Sequence, residues 1–252
     1  MIRYSYCNHG IVFEEQWFTD DSIVEPQNGS DYLNVFALKI KDERKGVFHK
    51  QYSLITSLTD DEEDIFKKIR KNARYEIKKA ERENCEFDVF SGSQIDNDLL
   101  RKFADTYTKM YASKGIKRTF NFNLMNACIE KGCVAISVGY HDGMPMVYHS
   151  YLFDDSVARL YQSCSLFRDN SDKDGQKIVG TVNRALHWND IMHFKNNNCT
   201  QYDWGGISSL DSPRGIDVFK QGFGGTPVEY YNYSLPLNIK GKIYWFLKKQ
   251  YK

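Results

Sequence analysis

Apolar residues recur every three or four positions at Ile65, Ile69, Ala73, Ile77 and Ala80. That spacing places them along one face of a helix. Thr59-Asp-Asp-Glu62 precedes this run and predicts a capping box at its start, so one helix is expected from about Thr59 to Arg82. A second helix is expected from Asp96 to Lys114, with Leu99, Leu100, Phe103, Tyr107, Met110 and Tyr111 on one side. A third is expected from Asn123 to Lys131, stopped by Gly132. The pattern then changes to three strands, 134–140, 146–153 and 157–164, the first two joined by an Asp142-Gly143 hairpin turn. A polar stretch, Leu166 to Gly175, separates them from a helix over Ile178 to Phe194. Then come a short strand (Gln201 to Trp204) ended by Gly205-Gly206, a short helix (Gly215 to Gln221), a tyrosine-rich strand (Pro227 to Leu235) and a basic, aromatic C-terminal helix around Ile243 to Leu247.

Residues 1–58 read as short strands and loops. Asp31 to Ile40 follows the turn-forming Pro26-Gln-Asn-Gly-Ser30, and Gly46 to Ile55 is its expected hairpin partner. Antiparallel strands followed by alternating strands and helices predict a mixed, mostly antiparallel α/β sheet with helices on both faces. Residues 59–252 are expected to form the main domain, with 1–58 a small strand-rich extension.

Composition narrows the function more than the fold. The chain has 252 residues, 34 Lys and Arg against 33 Asp and Glu, and 15% aromatic residues. A balanced charge excludes a disordered acidic or basic tail and argues against a dedicated duplex-binding protein. No run approaches the ~18–20 apolar residues that span a bilayer, and Glu14, Glu15 and Gln16 interrupt the N-terminal region where a signal peptide would lie. The six cysteines form no C-x-x-C pair, so reduced thiols in a cytoplasmic protein are expected, with no metal site. Charge is nonetheless polarised along the first helix. Asp60, Asp61, Glu62, Glu63 and Asp64 open it, and Lys67, Lys68, Arg70, Lys71, Arg74, Lys78, Lys79 and Arg82 follow. The order suits the helix dipole.

Four stretches resemble a known family. Arg70-Lys-Asn-Ala-Arg-Tyr-Glu-Ile-Lys-Lys-Ala-Glu-Arg82, His187-Trp188, Tyr202-Asp-Trp-Gly-Gly-Ile207 and Gly215-Ile-Asp-Val-Phe-Lys-Gln-Gly-Phe-Gly-Gly225 are similar, in order and spacing, to the FemAB-like branch of the GNAT acyltransferase superfamily. The resemblance covers roughly residues 60–235. It implies a GNAT-like fold and transfer of an acyl or aminoacyl group to an amine. Family members that extend peptidoglycan cross-bridges with aminoacyl-tRNA carry two complete GNAT-like domains. Here residues 1–58 suffice only for a partial second lobe, which favours an N-acyltransferase that uses acyl-CoA and the amine of a nucleotide-linked amino sugar or similar cell-surface precursor. Aminoacyl-tRNA with a peptidoglycan precursor is the alternative, and a non-catalytic RNA- or protein-binding module is the third reading.

Acyl transfer needs an aligned amine and a stabilised oxyanion. Lys220, on a short helix beside a glycine-rich turn, matches the position of a functional lysine in the family. Asp203, at a strand end, is either the general base or a structural carboxylate. His149 is the second candidate base, although Tyr148 beside it must face the other way. The resemblance implies that the strand carrying Tyr161 and Gln162 splays and that its amides hold the donor's acyl arm. Asn170 to Gly180 is expected to be a loop. Its Gln176-Lys-Ile-Val-Gly180 loosely approximates the family's phosphate loop, with Lys177, Gly180 and Arg184 as CoA contacts. Arg70 and Arg74 are expected to share a face and to bind phosphate, with Trp204 at the acceptor.

Overall fold

The computed structural model describes residues 1–19, 22–41, 44–165, 167 and 173–250, with 249 and 250 by backbone alone. Its centre is a ten-stranded mixed sheet in the order β1-β2-β3-β10-β4-β9-β8-β7-β6-β5. The strands are β1 (Ile2–Asn8), β2 (Ile11–Trp17), β3 (Tyr32–Leu38), β4 (Val47–Ser57), β5 (Cys85–Ser91), β6 (Val134–His141), β7 (Met144–Phe153), β8 (Val157–Ser165), β9 (Gln201–Asp203) and β10 (Thr226–Pro236). Among the described residues only β2–β3 and β8–β9 pair in parallel. The mixed, mostly antiparallel sheet flanked by helices is the expected class.

The helices are α1 (Glu62–Lys68), α2 (Lys71–Ala80), α3 (Asn97–Ala112), α4 (Phe122–Glu130), α5 (Lys173–Asn196), α6 (Gly215–Gln221) and α7 (Ile239–Gln250). On one face, α3 and α4 bury Leu100, Phe103, Tyr107, Leu124 and Met125 against the sheet together with Val134, Ile136, Val138 and Tyr148. On the other, α1 and α2 pack with α5 over Tyr151, Leu160 and Tyr202. The five periodic apolar residues from Ile65 to Ala80 are all buried, as their spacing requires.

Four expectations are corrected. The capping box does not form: α1 starts at Glu62 without a side-chain cap, and Thr59 Oγ1 lies 2.8 Å from Ser57 Oγ. The first helix is two helices, broken where Ile69 and Arg70 are extended. There the Arg70 amide donates to Gly222 O at 2.8 Å instead of to a helical carbonyl. The glycine-rich turn after α6 causes the break by lying against it, and a Cβ on Gly224 would sit 3.2 Å from Lys68 O. The third correction concerns α5, which begins at Lys173, so Gln176 to Gly180 is helix rather than loop. The earlier part of that expected loop, Asn170 to Asp172, lies outside the described residues.

The fourth correction is topological. β3 and β4 do not form a hairpin, because β10 lies between them and pairs antiparallel with both. β5 was also missed; it adds the far edge strand, antiparallel to β6. The Asp142-Gly143 turn does form, with both residues at positive φ (50° and 73°), as a two-residue hairpin of this twist demands.

Tyr233 of β10 is nearly fully buried and its hydroxyl donates to Lys45 O. Tyr233→Ala is expected to lower stability by about 3–5 kcal/mol, seen as a lower urea midpoint with an unchanged slope. A near-neutral result would show that β10 does not tie the two strands together.

Candidate active site

The sheet splits between β8 and β9. These strands pair only over Val157–Arg159 and Gln201–Asp203. Beyond Asp203 the chain stays with β4: Trp204 N donates to Leu54 O and Ile207 N to Tyr52 O. β8 continues instead along β7, and their register places Ser150 opposite Gln162 but Tyr151 opposite Leu160. Tyr161 is therefore an extra residue, a bulge that bends the strand and re-aims its neighbours. At the apex Gly205 has φ +69°, and a Cβ there would lie 2.5 Å from Leu160 O, so only glycine fits both the dihedral and the approach.

Four charged side chains, Asp203, Arg159, Lys220 and Asp217, are buried beneath the split. Asp203, fully buried, accepts from Arg159, from Ser53 Oγ and from the Gly205 amide at 2.8 Å. Lys220 Nζ, on a residue 8% exposed, donates to Gly206 O at 2.8 Å. Asp217 one turn earlier accepts from Ser208 N at 3.0 Å and Arg214 N at 2.9 Å, folding the loop before α6 back so that Lys220 points under the glycines. Burial, and then the Arg159 guanidinium, push the Lys220 ammonium down to about 8 against the opposing pull of Asp203 and Asp217.

Above the split is a cleft of about 440 Å³. One wall is Tyr161, Gln162 and Ser163 of β8; the other is Gly205, Gly206, Phe219 and Lys220; α3 contributes Tyr107 and Tyr111. Lys114 and Arg118 stand at its side, the Arg118 guanidinium 4.8 Å from the Tyr111 ring centre and donating to its hydroxyl. Gln162 Oε1 is buried and, among the described residues, receives no hydrogen bond.

Behind the cleft runs a buried polar chain. His149 Nε2 lies 2.9 Å from Asn183 Oδ1 and Nδ1 2.8 Å from Asp190 Oδ2. Asp190 Oδ2 also accepts from Tyr151, whose oxygen meets the Tyr202 hydroxyl, which in turn meets His187 Nδ1. Asn183 and His187 line the cleft, so the chain reaches it at both ends. Burial and the Asp190 carboxylate hold the phenols of Tyr151 and Tyr202 protonated. Burial, and then His149, Lys220 and Arg184, push His187 well below the usual imidazole range. His149, His187 and Asp190 offer ligand atoms within 4.8 Å of one another. The two imidazoles are stacked at 4.0 Å and 25°, however, so an ion in the plane of one falls outside the plane of the other.

No family model matches the sequence, and no curated protein matches it. Solved structures do share the fold. FemX superposes with a TM-score of 0.60 at 12% identity, over 86% of this chain and 74% of that one. L-PGS from Bacillus licheniformis does so at 0.53 and 13% identity, over 86% and 72%. The C-terminal domain (DUF2156) of a protein named for lysylphosphatidylglycerol synthesis, from Agrobacterium fabrum, scores 0.55 at 11% identity, over 86% and 72%.

The chain has the GNAT fold. Within that fold, Lys220, Tyr161 and Gln162 meet in the cleft. Asp203 lies under it with both oxygens engaged. His149 is fully buried one layer behind, while Tyr148 faces the α3 core, as strand alternation predicts. Trp204 is enclosed by Tyr202, His187 and Phe223, and its indole donates to Thr56 at 3.0 Å, so it contributes core rather than cleft wall. Lys177 is exposed and paired with Asp174 at 2.8 Å. Gly180 sits inside α5 and its carbonyl accepts from Arg184, which covers Phe219. Arg70, exposed at the N-cap of α2, lies beside the α6 turn, and Arg74, half-buried on α2, donates to Lys67 O at 2.9 Å; neither lines the cleft.

Asn183, His187 and Asp190 were missed as a group, as were Tyr107, Tyr111 and Arg118. The α5 residues carried a readable signal: polar side chains at i, i+4 and i+7 along a helix face otherwise built of Val179, Val182, Leu186 and Ile191.

A folded lysine at about 8, below its ordinary 10.5, releases its proton before the unfolded chain does. Its contribution to stability therefore grows as pH rises from 8 towards 10.5 and is absent below 8. Between pH 7 and 9.5 the wild type is expected to gain about 1–2 kcal/mol relative to Lys220→Met in urea unfolding. A relative loss over that interval would show that the ammonium is not desolvated. Gly205→Ala is expected to cost about 2–4 kcal/mol through φ strain and collision with Leu160 O; a fold-neutral result by thermal unfolding would show the apex to be loose.

Proposed function

We propose that the protein is an N-acyltransferase that moves an aminoacyl group from the ester of an aminoacyl-tRNA to the amine of a cell-envelope precursor, with Lys220 stabilising the oxyanion. The observation that supports it is the Lys220 ammonium held at the floor of a split sheet, opposite a bulged strand. A carbonyl placed there meets a buried cation, and buried charge acts more strongly than solvated charge on a developing oxyanion. The cleft's tyrosines and Phe219 suit a stacked base, and Lys114, Arg118 and Lys220 suit phosphate. Arg70 and Arg74 lie outside, where a polyanion reaching the cleft would pass α2 and α6.

Acyl-CoA with a nucleotide-linked amino sugar is the second reading, and the cleft volume and Tyr161–Gln162 bulge favour it equally. Two features of α5 weigh against it. Gly180 is not in a phosphate loop, and the first helical turn holds the carboxylate of Asp174, which opposes a pyrophosphate at that N-terminus. The residues just before the helix lie outside those described.

Radiolabelled aminoacyl-tRNA and acyl-CoA, each incubated with a panel of peptidoglycan precursors and amino-sugar nucleotides, test the reading. Ribonuclease-sensitive label transfer is expected with tRNA. Lys220→Met should lower the rate by about 10²–10³-fold. Thiol release from acyl-CoA alone would establish the second reading, and no transfer from either donor would remove both.

A further inference from the structure

The buried chain behind the cleft has a direction. Asp190, as a carboxylate, can only accept. Its Oδ2 takes the Tyr151 hydroxyl proton at 2.6 Å, so the Tyr151 oxygen must accept from the Tyr202 hydroxyl at 2.8 Å. The Tyr202 oxygen then accepts at 3.0 Å, and the donor is a protonated Nδ1 of His187. A neutral imidazole carries one N–H. The chain therefore fixes the tautomer and leaves the lone pair on Nε2, which takes no hydrogen bond from any described residue. The ring forms part of the cleft wall beside Lys220, Gly205 and Gly206.

We propose that His187, held in this tautomer by Tyr202, Tyr151 and Asp190, is the base that takes the proton from the attacking amine and gives it to the departing oxygen. The inference rests on the transferase reading above. The amine nitrogen bonds to the carbonyl carbon and the carbonyl oxygen becomes an oxyanion beside Lys220, which re-forms the C=O bond as the carrier leaves. The nitrogen loses a proton to His187 Nε2. The C–O bond to the carrier breaks, and the carrier oxygen takes that proton. Ester and amine become amide and alcohol, and His187 returns to its starting form. His187 is a catalytic residue in this scheme; Tyr202, Tyr151 and Asp190 are positioning residues.

The surroundings suit a shuttle. The groups facing the ring are Arg184 on its own helix, His149 on β7 (itself bound to Asn183 and Asp190), Tyr202 on β9 and Lys220 on α6. Three are cations or can become so, and a carboxylate oxygen of Asp190 also lies within 4.8 Å of a ring nitrogen. Together with burial they keep the ring neutral before attack and make it a strong acid once protonated, ready to serve the leaving oxygen.

Nitrogen-15 NMR of histidine-labelled protein is expected to show His187 at pH 7 as the neutral Nδ1–H tautomer, and Tyr202→Phe is expected to turn it into a mixture. In the transfer assay His187→Gln should lower kcat by about 10²-fold or more and abolish the acidic limb of the pH profile, while the alkaline limb set by Lys220 persists. Tyr202→Phe keeps the ring in the core; it should lower kcat by about tenfold with KM within about twofold. A neutral Nε2–H form, an imidazolium at pH 7, or His187→Gln with wild-type kcat overturns the assignment while leaving the transferase reading intact. Wild-type protein that transfers nothing from either donor overturns both, and the NMR result then reports on the buried chain alone.

Discussion

The parting of β8 from β9 above Asp203 is the constraint on which the rest of the site depends. A sheet is continuous only while neighbouring strands find partners, and here β9 ends after three residues while β8 continues along β7. Asp203 holds the parting in place. Its carboxylate joins Arg159 on β8, Ser53 on β4 and the amide of Gly205, so β8 is tied at one buried point to the two segments it parts from above. A buried carboxylate without these donors would cost several kcal/mol. The charge is stable only in the geometry that opens the cleft.

The two lips of the opening are made by opposite devices. On β8 an inserted residue, Tyr161, bends the strand and brings Tyr161 and Gln162 into the wall. On the other side a missing side chain lets Gly205 approach Leu160 O, and the next carbonyl, Gly206 O, receives Lys220. The ammonium of Lys220 is held where it is costly to hold, among low-dielectric surroundings and near Arg159. That cost is the usual mark of a group retained for chemistry rather than for stability. Behind it, the α5–sheet interface carries a line of polar groups through an apolar layer. Each of its members bonds to another, with Asp190 Oδ1 and His187 Nε2 left open among the described residues, and this makes the interface specific in register as well as adhesive.

Much of the architecture was legible from local pattern. The 3.6-residue periodicity of α2 and α3, the two-residue turn at Asp142-Gly143 and the short strand that ends at Asp203, just before Gly205-Gly206, all state their structure within a few residues. Lys220, Tyr161 and Gln162 were legible as candidates because each sits next to a signal, either a glycine-rich turn or a strand end. The break at Ile69–Arg70 was not, because its cause is the Gly222–Gly224 turn about 150 residues away in the chain. The β3–β4 hairpin failed for the same reason. Two adjacent amphipathic strands look like partners until a third, β10, competes for both edges and wins by closing two ladders at once.

Most of the helices and strands, their apolar faces and the place of a cation beside a glycine turn were determined by the amino-acid sequence alone, since propensity, periodicity and turn chemistry act over a few residues. The tertiary structure decided that Asp203 is bound on both oxygens, that Trp204 is core, that Gly180 is inside a helix, and that Asn183, His187 and Asp190 meet Tyr151 and Tyr202. Those outcomes depend on distances between segments far apart in the chain, and on burial, which sets what a charge costs and therefore which partner each polar group must find.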